Sequence, residues 1–239
     1  MALTDNLALA LEFESGAIGT DATGQNTAFT NNNVVTSVSG KVGNAGNFVI
    51  ASSQSLVHAD TALLSCGDIS FSFAAWLYVT DNSQTCTAFA KTNTQSEHFL
   101  EWSPASSAYR FRVWDAADNN TNHLLSSGGT PTNNTWYFVV VSHNATGNTL
   151  KGSVNNGTVD SASYSAGVRD SNADLYIGFN QQVGGRYWGG MIDQLLFYKR
   201  DLFDTPADIT SLYNGGAGMT YAAMVGGGGG KPYHAYAQQ

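Results

Sequence analysis

The chain has 239 residues, of which 12% are charged, and a formal net charge of −8. Its 10 lysines and arginines are spread along the sequence, which excludes the clustered basic charge of a nucleic-acid binder and disfavours docking on an anionic membrane. The length suits one large β domain or two small ones. Abundant Gly, Asn, Ser, Thr and aromatic residues, with few Lys, Glu and Arg, point to many short strands joined by turns.

In chain order, LALALEFE (7–14) alternates weakly as a first strand, and TDATGQN (20–26) is turn chemistry. NAGNFVI (44–50) and SQSLVH (53–58) read as two short strands around a turn. DISFSFAAWLYVT (68–80) is the clearest element. Ile69, Phe71, Phe73, Ala75, Leu77 and Val79 share one face at period two and should enter a core. Ser70, Ser72, Ala74, Trp76 and Tyr78 form the opposite, mixed face. Strands follow at 85–91, 98–103 and 109–115, the last alternating Tyr109, Phe111, Val113 against Arg110, Arg112, Trp114. TWYFVVVSHN (135–144) is another strand, and NNG (155–157) is a hairpin signal because Asn and Gly tolerate positive φ. Strands at 173–180 and 190–200 complete the set. One short helix follows, with Thr205 as N-cap, Pro206 at the first position, Asp208 completing a capping box and Gly215 as the stop.

About a dozen short strands predict an all-β, two-sheet antiparallel sandwich with one short C-terminal helix. The sandwich is expected over residues 1–220, and 221–239 read as a glycine-rich tether with an aromatic end, Tyr233, His234 and Tyr236, suited to docking on a partner or a second copy of the chain. Cys66 and Cys86 fall too far apart along the proposed strands for a bridge and are expected as free thiols. No secretory signal is read in MALTDNLALALEFE, no run reaches the length of a membrane span, and the four Asn-x-Ser/Thr triplets at Asn119, Asn133, Asn144 and Asn156 are read as turn chemistry.

Several stretches, in order, resemble the laminin-G-like, concanavalin A-like jelly-roll superfamily. They are DATG (21–24), GKVGNAGNFV (40–49), SFSFAAWLYV (70–79), TWYFVVVSHNATGNTLKGSVNNG (135–157), LYIG (175–178) and WGGMIDQLLFYKRDLFDTPADITSLY (188–213). The resemblance covers roughly residues 7–214 and implies two packed antiparallel sheets and non-catalytic binding of glycans or proteins, with calcium in some members. Some relatives place a structural ion between the start of the chain and the closing strand. That implies a possible calcium site at Asp21 and Asp193, no cofactor being otherwise required.

Asp193 shares strand parity with Met191, Leu195 and Phe197. A carboxylate there must bond backbone amides or meet a cation. The first alternative makes it a structural anchor tying the Asp21 loop and a neighbouring turn; the second makes it a calcium ligand.

For ligands, exposed aromatics able to stack on sugar rings are sought in Trp102, Trp114, Tyr187 and Trp188, beside Asn119, Asn122, Asn180 and Gln181, whereas Trp76 and Trp136 are assigned to the core. DAADNNTNH (115–123) is the most polar loop. Related sandwich glucanases carry a Glu-x-Asp-x-x-Glu strand, which is missing here, and Glu97 and Glu101 read as solvent-facing or strand-end residues. The five histidines are scattered without metal-ligand spacing. The expectation is therefore a non-catalytic recognition protein that binds glycan or neighbouring protein subunits. The Asn/Thr/Ser/Gly-rich composition suggests a bacteriophage virion component, in the capsid decoration or the tail, on a virion or cell-exterior surface. The alternatives are a free carbohydrate-binding module or lectin and, least favoured, a glucanase-like enzyme.

Overall fold

The computed structural model describes residues 2–227. The first strands are β1 (Leu7–Leu11), β2 (Thr30–Asn32), β3 (Thr36–Ser39), β4 (Asn44–Phe48) and β5 (Ser55–His58). The long β6 (Phe71–Val79) is followed by β7 (Cys86–Lys91), β8 (His98–Ser103), β9 (Ala108–Trp114) and β10 (Asn120–Leu125). Then come β11 (Trp136–Asn144), β12 (Thr149–Val154), β13 (Asp160–Ser163), β14 (Leu175–Ile177) and β15 (Gly190–Tyr198). Among the described residues two α-helices follow, α1 (Pro206–Tyr213) and α2 (Tyr221–Gly227).

The strands form two antiparallel sheets, as expected for a jelly-roll sandwich. One has eight strands in the order β13-β12-β11-β6-β15-β4-β3, with β1 also paired to β15; the other has seven, β10-β9-β8-β7-β14-β5-β2. Their facing sides make the main core, where Phe73 stacks on Phe89 (4.2 Å) and Phe197 (4.5 Å). The period-two reading of β6 holds. Phe71, Phe73, Ala75, Leu77 and Val79 enter this core, while Ile69 precedes the strand and is exposed. Cys66 and Cys86 are buried and unbridged, and burial pushes the Cys86 thiol up to about 12.

The outer face of the eight-stranded sheet is covered. Ala74, Trp76, Phe138, Val140, Leu196 and Tyr198 pack against Ile209 and Leu212 of α1 and Met224 of α2. Within the segment expected as a tether, Tyr221–Gly227 is helical, and Met224 is fully buried on the sandwich. Tyr233, His234 and Tyr236 lie outside the described residues.

α1 begins after Thr205 with Pro206 in its first turn, as expected, but no capping box forms. The Thr205 hydroxyl and the Asp208 carboxylate instead receive Arg200, through Nη1 (2.6 Å) and Nη2 (2.8 Å). The left-handed stop falls one residue early, on Asn214. Asn155 and Asn156 both take positive φ at the turn leaving β12, as the NNG signal requires.

The parity assigned to Asp193 breaks at a bulge. The β15–β6 register shifts between Asp193 and Leu196, with Gln194 at φ 47°. Asp193 thus sits opposite Trp76 on the outer side, while Ile192, Leu195 and Phe197 all reach the core. Among the described residues no helix is long and apolar enough to cross a membrane.

Candidate functional site

The outer face of the seven-stranded sheet carries no helices. Its register aligns one row across six adjacent strands: Val57, Tyr176, Ala90, Phe99, Arg112 and Asn122. Beside it runs a second row, Thr87, Glu101, Arg110 and Leu124. Strand alternation produces both, because His98, Leu100 and Trp102 of β8 turn inward and leave Phe99 and Glu101 to face out.

Towards β14 the face is aromatic. Phe179 and Tyr187 stack at 4.5 Å with an interplanar angle of 25°, and Tyr176 meets Phe179 edge-on at 5.3 Å. All three rings are half-buried. They stand at the mouth of the loop between β14 and β15, which closes through the bond from Trp188 N to Gly178 O (2.9 Å). Buried Asn180 organises this loop: its Oδ1 accepts from Gln182 N and from Thr92 Oγ1, joining it to the β7–β8 turn. Its Nδ2 finds no partner. Between the two turns opens a cleft of about 390 Å³ lined by Asn93, Thr94, Gln181 and Gln182.

Towards β9 the face is cationic. Glu101, fully buried, accepts from Arg110 Nη2 and from Arg186 Nη1 (3.0 Å), which ties the aromatic loop to β8. Arg112 lies over the rings of Phe99 (5.0 Å) and Trp114 (5.6 Å), and its Nε donates to Asn122 Oδ1 at 2.6 Å. Burial, followed by the neighbouring Arg110, depresses the Arg112 pKa.

Of the residues singled out in the sequence, the structure brings Trp114, Asn122 and Tyr187 to this face. Three tryptophans are corrected as exposed stacking surfaces, being buried. Trp102 has the inward parity of β8 and donates to Asn82 O (2.8 Å). Trp188 lies in the core and donates to Met191 O (3.2 Å). Trp114 points outward but is roofed by Arg112 and packed edge-on against Phe99 (5.5 Å). Asn119 is spent on a turn, its N and Nδ2 both bonding Asp115. Trp76 is core as expected, whereas Trp136 is only half-buried, against Tyr78. Sequence reasoning misses Tyr176, Phe179 and Arg112 as site residues; the alternation of β9 and the LYIGF stretch are the signals that point to them.

Asp21 and Asp193 behave as turn anchors. Asp21 accepts from Ala10 N, Thr23 N, Thr23 Oγ1, Asn26 N and Asn26 Nδ2. Asp193 Oδ2 accepts from Lys41 N and Val42 N, each at 2.8 Å, so it ties the 40–43 turn rather than the Asp21 loop. Backbone and side-chain donors meet both Asp21 oxygens and Asp193 Oδ2, while Asp193 Oδ1 has no partner among the described residues. Burial pushes Asp193 up to about 7.

Glu97 is corrected too, being fully buried rather than solvent-facing. Its Oε1 accepts from Lys91 Nζ (2.6 Å) and Ser171 N (2.8 Å), and Lys91 also meets Asp60 (2.8 Å). Cys66, Glu97 and His98 form the one group of three metal-ligating side chains close enough to share an ion among the described residues. Cys66 Sγ is 3.6 Å from His98 Nδ1, and burial, then Lys91, lowers His98 to about 3. The Lys91 ammonium already supplies the positive charge beside Glu97, so this cluster reads as a buried ion-pair network.

The fold has many solved neighbours. The binding domain of Paraclostridial Mosquitocidal Protein 1 superposes with a TM-score of 0.71 at 16% identity, over 89% of this chain and 53% of that one. A botulinum neurotoxin serotype D ligand-binding domain, solved with N-acetylneuraminic acid, gives 0.69 at 16% identity, over 89% and 51%. Domain 4 of AbnA, a GH43 extracellular arabinanase from Geobacillus stearothermophilus solved with arabinotriose, gives 0.68 at 17% identity, over 86% and 97%. The chain thus spans about half the length of the toxin domains, and these likenesses establish the fold alone. Among curated protein sequences none matches this one. The family model for laminin G described as the concanavalin A-like lectin/glucanases superfamily matches residues 50–210, and the chain belongs to that superfamily.

Proposed function

We propose that the domain is a non-catalytic glycan-binding module whose combining surface is the outer face of the seven-stranded sheet. The observation that carries this reading is the half-exposed Tyr176–Phe179–Tyr187 group beside a cleft lined by Asn93, Thr94, Gln181 and Gln182. Sugar rings offer apolar C–H faces to aromatic rings and hydroxyls to carboxamides, and both partners stand here side by side. The neighbours solved with arabinotriose and N-acetylneuraminic acid support the class of ligand. A glycosidase needs two carboxyl groups facing one cleft. Glu97 and Glu101 are instead tied up in ion pairs, Glu101 on the outer face and Glu97 beside inward-facing His98.

Display on a virion or cell-exterior surface is the setting proposed for this module. It is supported by its Asn/Thr/Ser/Gly-rich composition, and a free carbohydrate-binding module is the alternative. Anchoring or self-association through Tyr233, His234 and Tyr236 belongs to that proposal, and loss of particle or oligomer association on deleting residues 228–239 is its test.

A glycan array followed by titration calorimetry on the best hit tests the binding itself. Tyr187→Ala is expected to weaken affinity about tenfold, the loss of one stacking partner. Unchanged affinity in that variant would refute the assigned surface, and an array without hits would refute the function.

A further inference from the structure

Three guanidinium groups, those of Arg110, Arg112 and Arg186, converge on the outer face around a single carboxylate, Glu101. Glu101 is satisfied by two of them. The third, on Arg112, has no acid: its Nε is pinned by Asn122, and no group among the described residues accepts from its two terminal nitrogens. Arg110 Nε is buried without a partner as well. In a chain of net charge −8 this is a local excess of positive charge, with Arg112 half-buried over the rings of Phe99 and Trp114. The Arg112 Nε is thus held while its terminal nitrogens stay open to a ligand. A guanidinium with a pinned Nε and free terminal nitrogens presents a planar fork, which matches a carboxylate in two parallel hydrogen bonds.

We propose that this face selects glycans bearing a carboxylate, with the Arg112 fork receiving the acid group and Tyr176, Phe179 and Tyr187 receiving the neighbouring sugar. The sheet register separates Arg112 from Tyr176 by Phe99 and Ala90. At about 4.8 Å per strand that is roughly 14 Å, the reach of a short oligosaccharide rather than of one ring. The inference rests on the glycan-binding function proposed above and adds the charge of the ligand. A uronic acid and a sialic acid both carry the required group.

The test uses matched pairs titrated into the full chain: hexagalacturonate against its methyl ester, and sialyllactose against lactose. At least one acidic member should bind tenfold or more tightly than its neutral partner, and the pair that shows this identifies the source of the carboxylate. The preference should shrink as salt is raised. Arg112→Gln should abolish it, bringing the acidic and neutral members within about twofold of each other. Arg112→Lys, which keeps the charge but removes the fork, should lose most of it, with far-UV dichroism confirming that both variants are folded. Equal affinity for acidic and neutral members, or a preference that survives Arg112→Gln, overturns the proposal and leaves the glycan-binding function standing. Absence of binding by both members of both pairs, together with an empty array, removes both.

Discussion

Asp193 shows how one carboxylate can be written into a β strand as a turn anchor. The bulge at Gln194 turns it to the outer side of β15, where two backbone amides of the 40–43 turn meet Oδ2 and nothing meets Oδ1. Burial raises it to about 7. A raised carboxyl pKa means that the folded chain holds the proton more tightly than the unfolded one. Its contribution to stability is therefore greatest below the unfolded value near 4 and declines as pH rises towards 7. Asp193→Asn should remove that decline. The stability of wild type relative to the variant is expected to fall by a few kcal/mol between pH 4 and pH 8 in urea titrations, because each tenfold difference in proton affinity is worth ~1.4 kcal/mol. A pH-independent difference would mean that Asp193 is not the buried, amide-bonded acid described. The Lys91–Glu97 pair gives the complementary case. Lys91→Met leaves Glu97 buried and uncompensated, so a loss of about 3–5 kcal/mol is expected from the same titrations. A loss below about 1 kcal/mol would show that Glu97 does not rely on that ammonium. The sequence suggests that Asp193 anchors a turn, but not which turn, and it gives no sign of the Lys91–Glu97 pair. The fate of Asp193 depends on a bulge that moves Leu195 and Phe197 to the opposite parity, and Lys91, Glu97, Cys66 and His98 meet only through the fold.

Whole elements are more readable than single residues. β6 and β9 announce themselves through alternation, because one side of each strand must be greasy and the other need not be, and β11 through a continuous apolar run that is buried on both faces. The same alternation marks Arg110, Arg112 and Trp114 as one face of β9, yet gives no means of telling which tryptophans are roofed by neighbours. Trp102 and Trp188 look alike in the sequence as loop-proximal aromatics; packing places both inside. α2 is the element the composition conceals. Five glycines at 226–230 suggest a tether, but Tyr221–Gly227, which includes the first two of them, is helical and buries Met224 against Tyr198 in the cluster that holds Ile209 and Leu212 of α1. Met224→Ala is accordingly expected to lower stability by about 2–4 kcal/mol through the cavity it leaves. A thermal transition unchanged by that substitution would return residues 221–227 to the tether.

The molecule as a whole is asymmetric, and the asymmetry is what the proposed function rests on. One outer face is sealed by α1 and α2; the other keeps half-exposed rings, carboxamides and an unpaired guanidinium. The same open face bears the residual positive charge of an acidic chain, although the sequence spreads its 10 basic residues evenly. The most direct measurement is nuclear magnetic resonance shift mapping during titration with an oligosaccharide that binds. Perturbations should concentrate on Tyr176, Phe179, Tyr187 and the 92–95 and 181–186 turns, leaving α1 and α2 unmoved. Shifts centred on α1 and α2, with the seven-stranded sheet silent, would contradict the assignment of the combining surface.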